Sequence, residues 1–195
     1  MAAMATSWLL WGAAGQAQVT AEPSAVVFPD PTKFARGLYT EGEMGAVAFF
    51  GRAGSDVSPG VSIGARLGYD LAGWLAVQAH VLGSTHQIAG TSPLNGQLLQ
   101  TYQAMLEAKL TYRFSQTSLF VEGGAGIERL STNALYVLGV EPQYRAGLVF
   151  GGGGGLDYHS LSRHFSIGAR GDFEAMQQLT SSQELLASIY LRYTF

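Results

Sequence analysis

An alternation of apolar and polar side chains along most of the chain is the feature that most limits how this sequence folds. It is clearest in Leu99–Phe114 and in the last stretch, Leu185–Phe195. A period of two sustained over this length is typical of a β-strand and not of a helix. It also meets the length of a tilted transmembrane strand, about 9–11 residues. The pattern predicts long strands with one apolar and one polar face, whether in a membrane barrel or in a soluble sandwich.

From Leu38 onward the alternation recurs in eight segments, joined by connections that are alternately long and short. The pattern of short turns on one side and long loops on the other is typical of outer-membrane barrels, whose short turns are periplasmic. With eight strands, both termini are expected on the short-turn side. The predicted strands are Leu38–Phe50, Gly60–Tyr69, Trp74–Leu82, Leu99–Phe114, Leu119–Leu130, Tyr144–His159, His164–Ala175 and Leu185–Phe195. The predicted long loops are Gly51–Pro59, Gly83–Leu98, Ser131–Gln143 and Met176–Glu184.

The position of the charges distinguishes a membrane barrel from a soluble one. Charged residues make up 13% of the chain, about half the usual fraction of a soluble domain, and none falls in the middle of an apolar face. An Arg or Lys there would cost about 2–4 kcal/mol in lipid. A soluble sandwich or a lipocalin-like barrel has the opposite polarity. The sequence therefore predicts an all-β fold, an eight-stranded antiparallel up-and-down transmembrane β-barrel, and it contains no apolar run long enough for a spanning helix.

The polar faces are then expected to meet inside the barrel. Side chains just fill the lumen of eight strands, and buried charges persist only when they are paired. We therefore predict an ion-paired plug and little or no conductance. Glu41 and Glu43 lie on the same polar face of the first strand. The predicted lumen ion-pair network comprises Arg66, Glu107, Lys109, Arg113, Glu122, Glu128, Arg145, Asp157, Arg170, Asp172, Glu174 and Arg192.

The first 36 residues differ in pattern from the barrel segments. Residues 1–17 resemble the end of a secretory signal peptide, with a short apolar core and a small-x-small site at Gly15–Ala17. No Lys or Arg precedes the core, so we expect the true start upstream of Met1; a small buried helix is the alternative. Residues 18–36 are rich in proline and are predicted to form an irregular periplasmic extension. The barrel is assigned to residues 37–195.

Three groups of residues invite a catalytic or ligand-binding interpretation. Gly151–Gly155 lacks the Lys-Ser/Thr of a phosphate loop and lies inside a strand, which favours a wall segment that bends the sheet or leaves lumen space for larger opposing side chains. His159 and Ser160, with Asp157 and His164 nearby, could suggest a Ser/His nucleophile, but polar turn residues explain them better.

His80 and His86 are spaced too loosely, and without a nearby carboxylate, to indicate a metal site. His80 is predicted as a hydrogen-bonding group in the lumen and His86 as a solvated loop residue. The chain has no cysteine, and its net charge is −3 with no basic cluster. No cofactor, metal or nucleic-acid partner is therefore expected.

Aromatic residues gather near strand ends on the apolar face and are predicted to form an interfacial girdle rather than a ligand platform. A final strand ending Tyr193-Thr194-Phe195 resembles the signal that the barrel assembly machinery recognises. Across Leu38–Phe195 the pattern is similar to the small eight-stranded outer-membrane barrels of the OmpA/OmpX type, without a peptidoglycan-binding domain after the barrel. The predicted girdle comprises Tyr69, Tyr112, Phe114, Tyr158, Phe165, Tyr193 and Phe195.

Two stretches, Phe34–Gly51 and Gly64–Gly83, are also similar to CglE, the integral outer-membrane barrel of the myxobacterial gliding machinery. That resemblance implies a non-enzymatic component of a trans-envelope motility complex, in contact with outer-membrane lipid and other envelope proteins. A lipid-modifying enzyme and a narrow channel are the alternatives. Long apolar loops are the expected docking sites, through Ile88, Leu94, Leu135, Tyr136, Val137 and Leu138.

Overall fold

Eight long strands make up almost all of the structure, a computed structural model that describes residues 35–51, 53–89, 95–131, 146–159, 164–177 and 182–195. One short 3-10 helix, Ala53–Ser55, follows the first strand. Within the described residues no helix is long and apolar enough to cross a membrane. The strands are β1 (Leu38–Gly51), β2 (Gly60–Asp70), β3 (Leu75–Gln87), β4 (Leu98–Phe114), β5 (Thr117–Leu130), β6 (Ala146–His159), β7 (Phe165–Met176) and β8 (Ser182–Thr194).

Each strand pairs antiparallel with its neighbours in sequence, and β1 pairs with β8 to close a barrel. The closing ladder runs from Tyr39 opposite Thr194 to Gly51 opposite Ser182. It is extended by a hydrogen bond from the backbone N–H of Phe195 to the carbonyl of Leu38, 3.0 Å. The predicted fold, a closed eight-stranded up-and-down antiparallel barrel, is thus confirmed.

The two ends of the barrel differ in their connections. The strand pairs β2–β3, β4–β5 and β6–β7 are joined at the end where the chain enters β1 and leaves β8. At this short-turn end, β4 and β5 meet in a two-residue turn, where Phe114 lies opposite Thr117 and Ser115 has φ 54°. The other end, called here the long-loop end, carries the connections from β1, β3, β5 and β7. Both termini of the barrel therefore lie at the short-turn end.

The barrel has apolar side chains outside and charged side chains inside. Ile63 and Leu106, on the outer face, are 71% and 73% exposed. Arg66, whose side chain points into the lumen, is 2% exposed. Among the described strand residues, only Arg129 is a charged residue with an exposed side chain, and it lies at the end of β5. Because an apolar outer wall is unfavourable in water and favourable in hydrocarbon, this arrangement fits a barrel that crosses a membrane.

The aromatic girdle lies where the sequence predicts it. Tyr69, Tyr112, Phe114, Tyr158, Phe165 and Phe195 are large exposed side chains on the outer wall near the short-turn end. Tyr193 is half-buried because its ring packs between its neighbours, 4.9 Å from Phe165 and 5.0 Å from Phe195 between centroids. These rings form a band at one level of the wall, as expected where a membrane meets water.

Three residues that the sequence places in loops are instead buried. β3 continues to Gln87, so that His86 lies inside the barrel and is not solvated. Ile88 is also buried and forms a β-bridge with Val57, so it is not offered to a partner as predicted. β8 begins at Ser182, which brings Glu184 into the lumen. His86 is held inside by hydrogen bonds to Ser84 and to the Ser58 carbonyl, whereas Ile88 packs in an apolar cluster.

The wall segment Gly151–Gly155 makes room for side chains of the lumen, as predicted. A Cβ at Gly153 would collide with Asp172, one at Gly155 with the ring of Phe120, and one at Gly151 would press on Glu174. Glycine at these inward positions therefore leaves space on the inner wall for charged and aromatic side chains of the two adjacent strands.

Several sequence predictions lie outside the described residues. They are the signal peptide at 1–17, almost all of the extension at 18–36, Arg145 of the lumen network and Ser160. The same holds for the docking residues Leu94, Leu135, Tyr136, Val137 and Leu138.

A methyl group at Gly155 is predicted to destabilise the barrel. We expect Gly155→Ala to lower the free energy of unfolding by about 1–3 kcal/mol, because the added Cβ overlaps backbone and ring atoms in a filled lumen. Gly171→Ala is the matched control, since that Cβ would point outward and meet only the Leu186 carbonyl at 3.9 Å. Urea unfolding of both variants in lipid vesicles measures the difference, and equal stability of the two would contradict the filled-lumen description.

Candidate functional site

Arg66 of β2 is the centre of the charged layer that crosses the middle of the lumen. Its guanidinium makes a short hydrogen bond to Glu43 of β1 and binds Glu107 of β4 through Nε, 3.2 Å. Nη2 lies 3.4 Å from Asp172 of β7 and 3.7 Å from Glu122 of β5. One arginine thus neutralises carboxylates from four other strands, which is possible because its planar fork presents several donors in fixed directions.

His80 of β3 completes this layer. Its Nε2 lies 2.7 Å from Glu43 and its Nδ1 lies 3.2 Å from Glu107. Since carboxylates accept hydrogen bonds and do not donate them, both ring nitrogens donate, which is the geometry of a charged imidazolium. The position of His80 in the lumen follows from the sequence, but the two carboxylates beside it belong to β1 and β4 and are far from it in the chain.

Cations and aromatic rings alternate in the next layer towards the short-turn end. Lys109 Nζ lies 3.7 Å from the centroid of the Phe120 ring, between Glu41 at 3.7 Å and Asp157 at 3.5 Å. Arg170 lies 3.9 Å from the Tyr190 ring. Rings stacked on cations exclude water from the ion pairs, which strengthens the attraction between the charges.

Arg170 connects this layer to the central one. It makes a short hydrogen bond to Glu41 and donates to Glu122 at 3.1 Å. At the short-turn end, Arg192 donates to Asp70 at 2.7 Å, and its guanidinium carbon lies 3.5 Å from the centroid of the Tyr39 ring. The pairs therefore form one continuous network from the middle of the barrel to its short-turn end.

The described members of the predicted network occupy the lumen, but Glu128 and Glu174 do not join this network. Arg113 is half-buried near the short-turn end. Glu128 and Glu174 are buried nearer the long-loop end, and neither forms an ion pair with a described residue. Tyr39, Asp70, Gln78, His80 and Glu184 take part in the lumen and were not among the predicted network residues. For Tyr39, Gln78 and His80 the alternation already indicated the inward face, whereas Asp70 and Glu184 lay beyond the predicted strand ends.

An apolar cluster, called here the cap, closes the lumen at the long-loop end. Ala53 of the 3-10 helix and Val57 just after it are buried, and Val57 forms a β-bridge with Ile88 beyond the end of β3. The Ala53 N–H donates to Ser182 Oγ at 3.0 Å, and the Ser58 N–H donates to the Gln87 carbonyl at 2.9 Å. The cap comprises Phe49, Ala53, Val57, Ile88, Leu99, Met105, Leu130, Val149 and Met176.

A serine–histidine pair lies at the short-turn end, where the sequence offered a weak catalytic candidate. Among the described residues, Ser118 contacts His159: its Oγ is 3.0 Å from the His159 Nε2. Asp157 accepts a hydrogen bond from Ser118 at 3.4 Å and a short one from Tyr190, and it lies beside Lys109. Ser118 is fully buried, so a substrate does not reach its hydroxyl in this state. The described residues also contain no group of three or more His, Asp or Glu that could hold a metal ion.

Comparison with known proteins identifies the fold alone. No protein-family model matches the chain, and no curated protein matches its sequence. Among solved structures, the neisserial surface protein NspA matches with a TM-score of 0.61 and 12% identity, over 84% of this chain and 100% of that one. Ail, the attachment invasion locus protein of Yersinia pestis, matches with a TM-score of 0.54 and 13% identity, over 84% of this chain and 100% of that one.

The outer-membrane protein OprG of Pseudomonas aeruginosa matches with a TM-score of 0.52 and 13% identity, over 85% of this chain and 99% of that one. The chain thus has the fold of the small outer-membrane β-barrels, as its sequence predicts. At this level of identity the likeness carries no information on activity. Nothing in these comparisons supports the narrower resemblance to CglE.

Removal of Arg66 is predicted to be far more damaging than removal of an exposed arginine. We expect Arg66→Ala to lower the free energy of unfolding by about 3–5 kcal/mol, because it leaves several buried carboxylates without their shared cation. Arg129→Ala, at the exposed end of β5, should change it by less than about 0.5 kcal/mol. Urea titrations of both variants in lipid vesicles provide the measurement. Similar losses in the two variants would show that the central layer is not a linked network.

Proposed function

We propose that this chain is a non-enzymatic integral outer-membrane barrel that serves as a structural and docking component of an envelope-spanning assembly. Its fold, its apolar wall and its aromatic girdle support insertion in an outer membrane. The short-turn end, with both termini, is assigned to the periplasm, and the long-loop end to the outside. Tyr193 and Phe195 are the proposed signal for the barrel assembly machinery.

The filled lumen is the observation that carries this proposal. Arg66, Lys109 and Arg170 lie across the barrel axis, and their side chains are almost completely buried among carboxylates and rings. The cap closes the long-loop end above them. A barrel closed at two levels has no continuous path for a solute, so the surfaces left for function are its two ends and its wall.

The docking surface is proposed at the long-loop end. Burial of Ile88 in the cap removes it from the predicted docking set. The remaining members, Leu94 and the apolar run Leu135–Leu138, lie in the connections after β3 and β5. Apolar side chains in long loops are unfavourable in water alone, which favours a protein partner at this end.

The two alternatives have less support. For a lipid-modifying enzyme, Ser118 of the serine–histidine pair is buried, and the pair lies at the short-turn end, away from the outer leaflet in the proposed orientation. For a narrow channel, the ion pairs and the cap would both have to move. The similarity of Phe34–Gly51 and Gly64–Gly83 to CglE makes gliding-motility proteins the first partners to look for.

Reconstituted barrels are predicted not to conduct. In planar bilayers the purified protein should give no stable conductance step above the leak, because the central layer and the cap both occlude the lumen. A porin inserted under the same conditions serves as the positive control for insertion. A long-lived open level would contradict the plugged lumen and favour the channel alternative.

Co-purification is predicted to recover envelope proteins in fixed proportion. Tagged protein extracted from outer membranes in mild detergent should carry the same partners in repeated preparations, as identified by mass spectrometry. Replacing Leu135–Leu138 with serine should release them while the barrel stays folded. The matched control is Ser115→Asn with Gln116→Gly at the opposite end, which suits the positive φ of that turn and should keep the partners.

Recovery of gliding-motility proteins would support the resemblance to CglE. A lone barrel, or partners that remain bound to the serine variant, would contradict docking through this loop.

A further inference from the structure

Three glutamates form an acidic layer at the level where the lumen meets the cap, with Glu184 opposite the cap residue Phe49 in the β1–β8 ladder. Glu128 of β5, Glu174 of β7 and Glu184 of β8 all point inward and are 1%, 3% and 2% exposed. Glu174 and Glu184 are directly opposite each other in the β7–β8 ladder. Glu128 is opposite Gln103 in the β4–β5 ladder, and the Gln103 amide donates to Glu174 at 2.9 Å. The three side chains therefore occupy one level of the barrel, called here the glutamate layer.

The glutamate layer has no counter-charge among the described residues. None of its three carboxylates takes part in an ion pair, unlike those of Glu43 and Glu107 in the central layer. Both oxygens of Glu128, and one each of Glu174 and Glu184, are buried without a hydrogen-bond partner. An ionised carboxylate in that position is very unfavourable. Among the described groups, only protonation or a bound cation would remove this cost.

The surroundings favour bound protons over a metal ion. No group of three or more His, Asp or Glu within the described residues could hold a metal. The charged groups that act on Glu174 from the neighbouring layer are His80, Glu107 and Arg66, and these are already paired with one another. His86, on the cap side, bonds to Ser84 at 2.7 Å. Protonation is thus the available way to remove the charge of the three carboxyl groups.

The glutamate layer is joined to the cap through each of its strands. Leu130 follows Glu128 by two residues towards the long-loop end, and Met176 follows Glu174 in the same way; both are cap residues. On β8, Ser182 precedes Glu184 by two residues and binds the N–H of Ala53 in the cap. A change of charge at the layer therefore acts directly on the side chains that hold the cap closed.

We propose that Glu128, Glu174 and Glu184 form a proton-binding site that keeps the cap closed. With their carboxyl groups protonated, the layer is neutral and packs under the apolar cap. As the external pH rises, loss of these protons places uncompensated negative charges under the cap, which opens to admit water and counter-ions. The closed state binds more protons than the open state, so closure is favoured at low pH and is lost as the pH increases.

Cysteine accessibility tests this proposal, because the chain contains no cysteine of its own. Val57→Cys places a thiol in the buried cap, and Ser55→Cys places one on the exposed side of the same segment. The rate of labelling by a bulky, membrane-impermeant maleimide is measured for both in lipid vesicles. The ratio of the two rates at each pH corrects for ionisation of the thiol itself. Between about pH 6 and about pH 9 this ratio should rise about tenfold or more, as expected for release of at least one proton on opening.

Replacing the three glutamates with glutamine tests whether the pH dependence comes from the glutamate layer or from other titrating groups. With Glu128→Gln, Glu174→Gln and Glu184→Gln together, the ratio should be independent of pH, because the amides imitate the protonated carboxyls. Asp56→Asn, on the cap segment but outside the layer, is the matched control and should keep the rise.

The proposal would be overturned if the labelling ratio did not change with pH in the protein that keeps its three glutamates. It would also be overturned if the ratio still rose with pH in the triple variant. The proposal would also be overturned if the labelling ratio changed on addition of calcium at constant pH but did not change with pH. If the triple variant does not fold, the single variant Glu128→Gln is used instead. It must reduce the slope of the labelling ratio against pH, and an unchanged slope would also reject the proton-binding site.

Discussion

Closure of the barrel between β1 and β8 is the constraint on which the rest of the structure depends. In hydrocarbon an unpaired backbone N–H or C=O group costs several kcal/mol, so an open sheet edge is not tolerated there. The closing ladder runs along nearly the whole of β1 and ends beside Phe195. Closure gives every strand two neighbours and turns the polar faces of all eight strands towards one narrow lumen. The charged and polar side chains therefore meet in the lumen.

The carboxylate charges in the lumen are compensated in different ways in the central layer and in the glutamate layer. In the central layer Arg66, Arg170 and His80 are shared among carboxylates of several strands, so that few acids depend on a single partner. In the glutamate layer acids meet acids, with Glu174 opposite Glu184. The first arrangement is stable as long as its cations are present. The second depends on protons and therefore on the solution at the long-loop end, which makes this end the responsive part of the barrel.

The wall and the lumen make opposite demands on side-chain size. Bulky apolar groups such as Ile63 and Leu106 cover the outside, whereas Gly153 and Gly155 leave space on the inner wall for Asp172 and Phe120 of the adjacent strands. Large rings that lie over glycines of the wall, and cations that lie over those rings, fill the middle of the narrow lumen, while the apolar cap fills its long-loop end. This packing explains how a barrel with so many internal charges fills its lumen, and why the proposed function is assigned to its loops.

The alternation by itself determined the strands, the faces and the number of strands, because a period of two is local and a charge in lipid is costly. It placed Arg66, Glu107 and Arg170 inside correctly. Only the tertiary structure decided which charges meet. Arg170 and Glu41 are 129 residues apart in the chain, and their contact depends on the stagger of strands around a closed barrel. Likewise His86 and Glu184 continue their strands because they pair with neighbouring strands of the closed barrel, which no short stretch of sequence reveals.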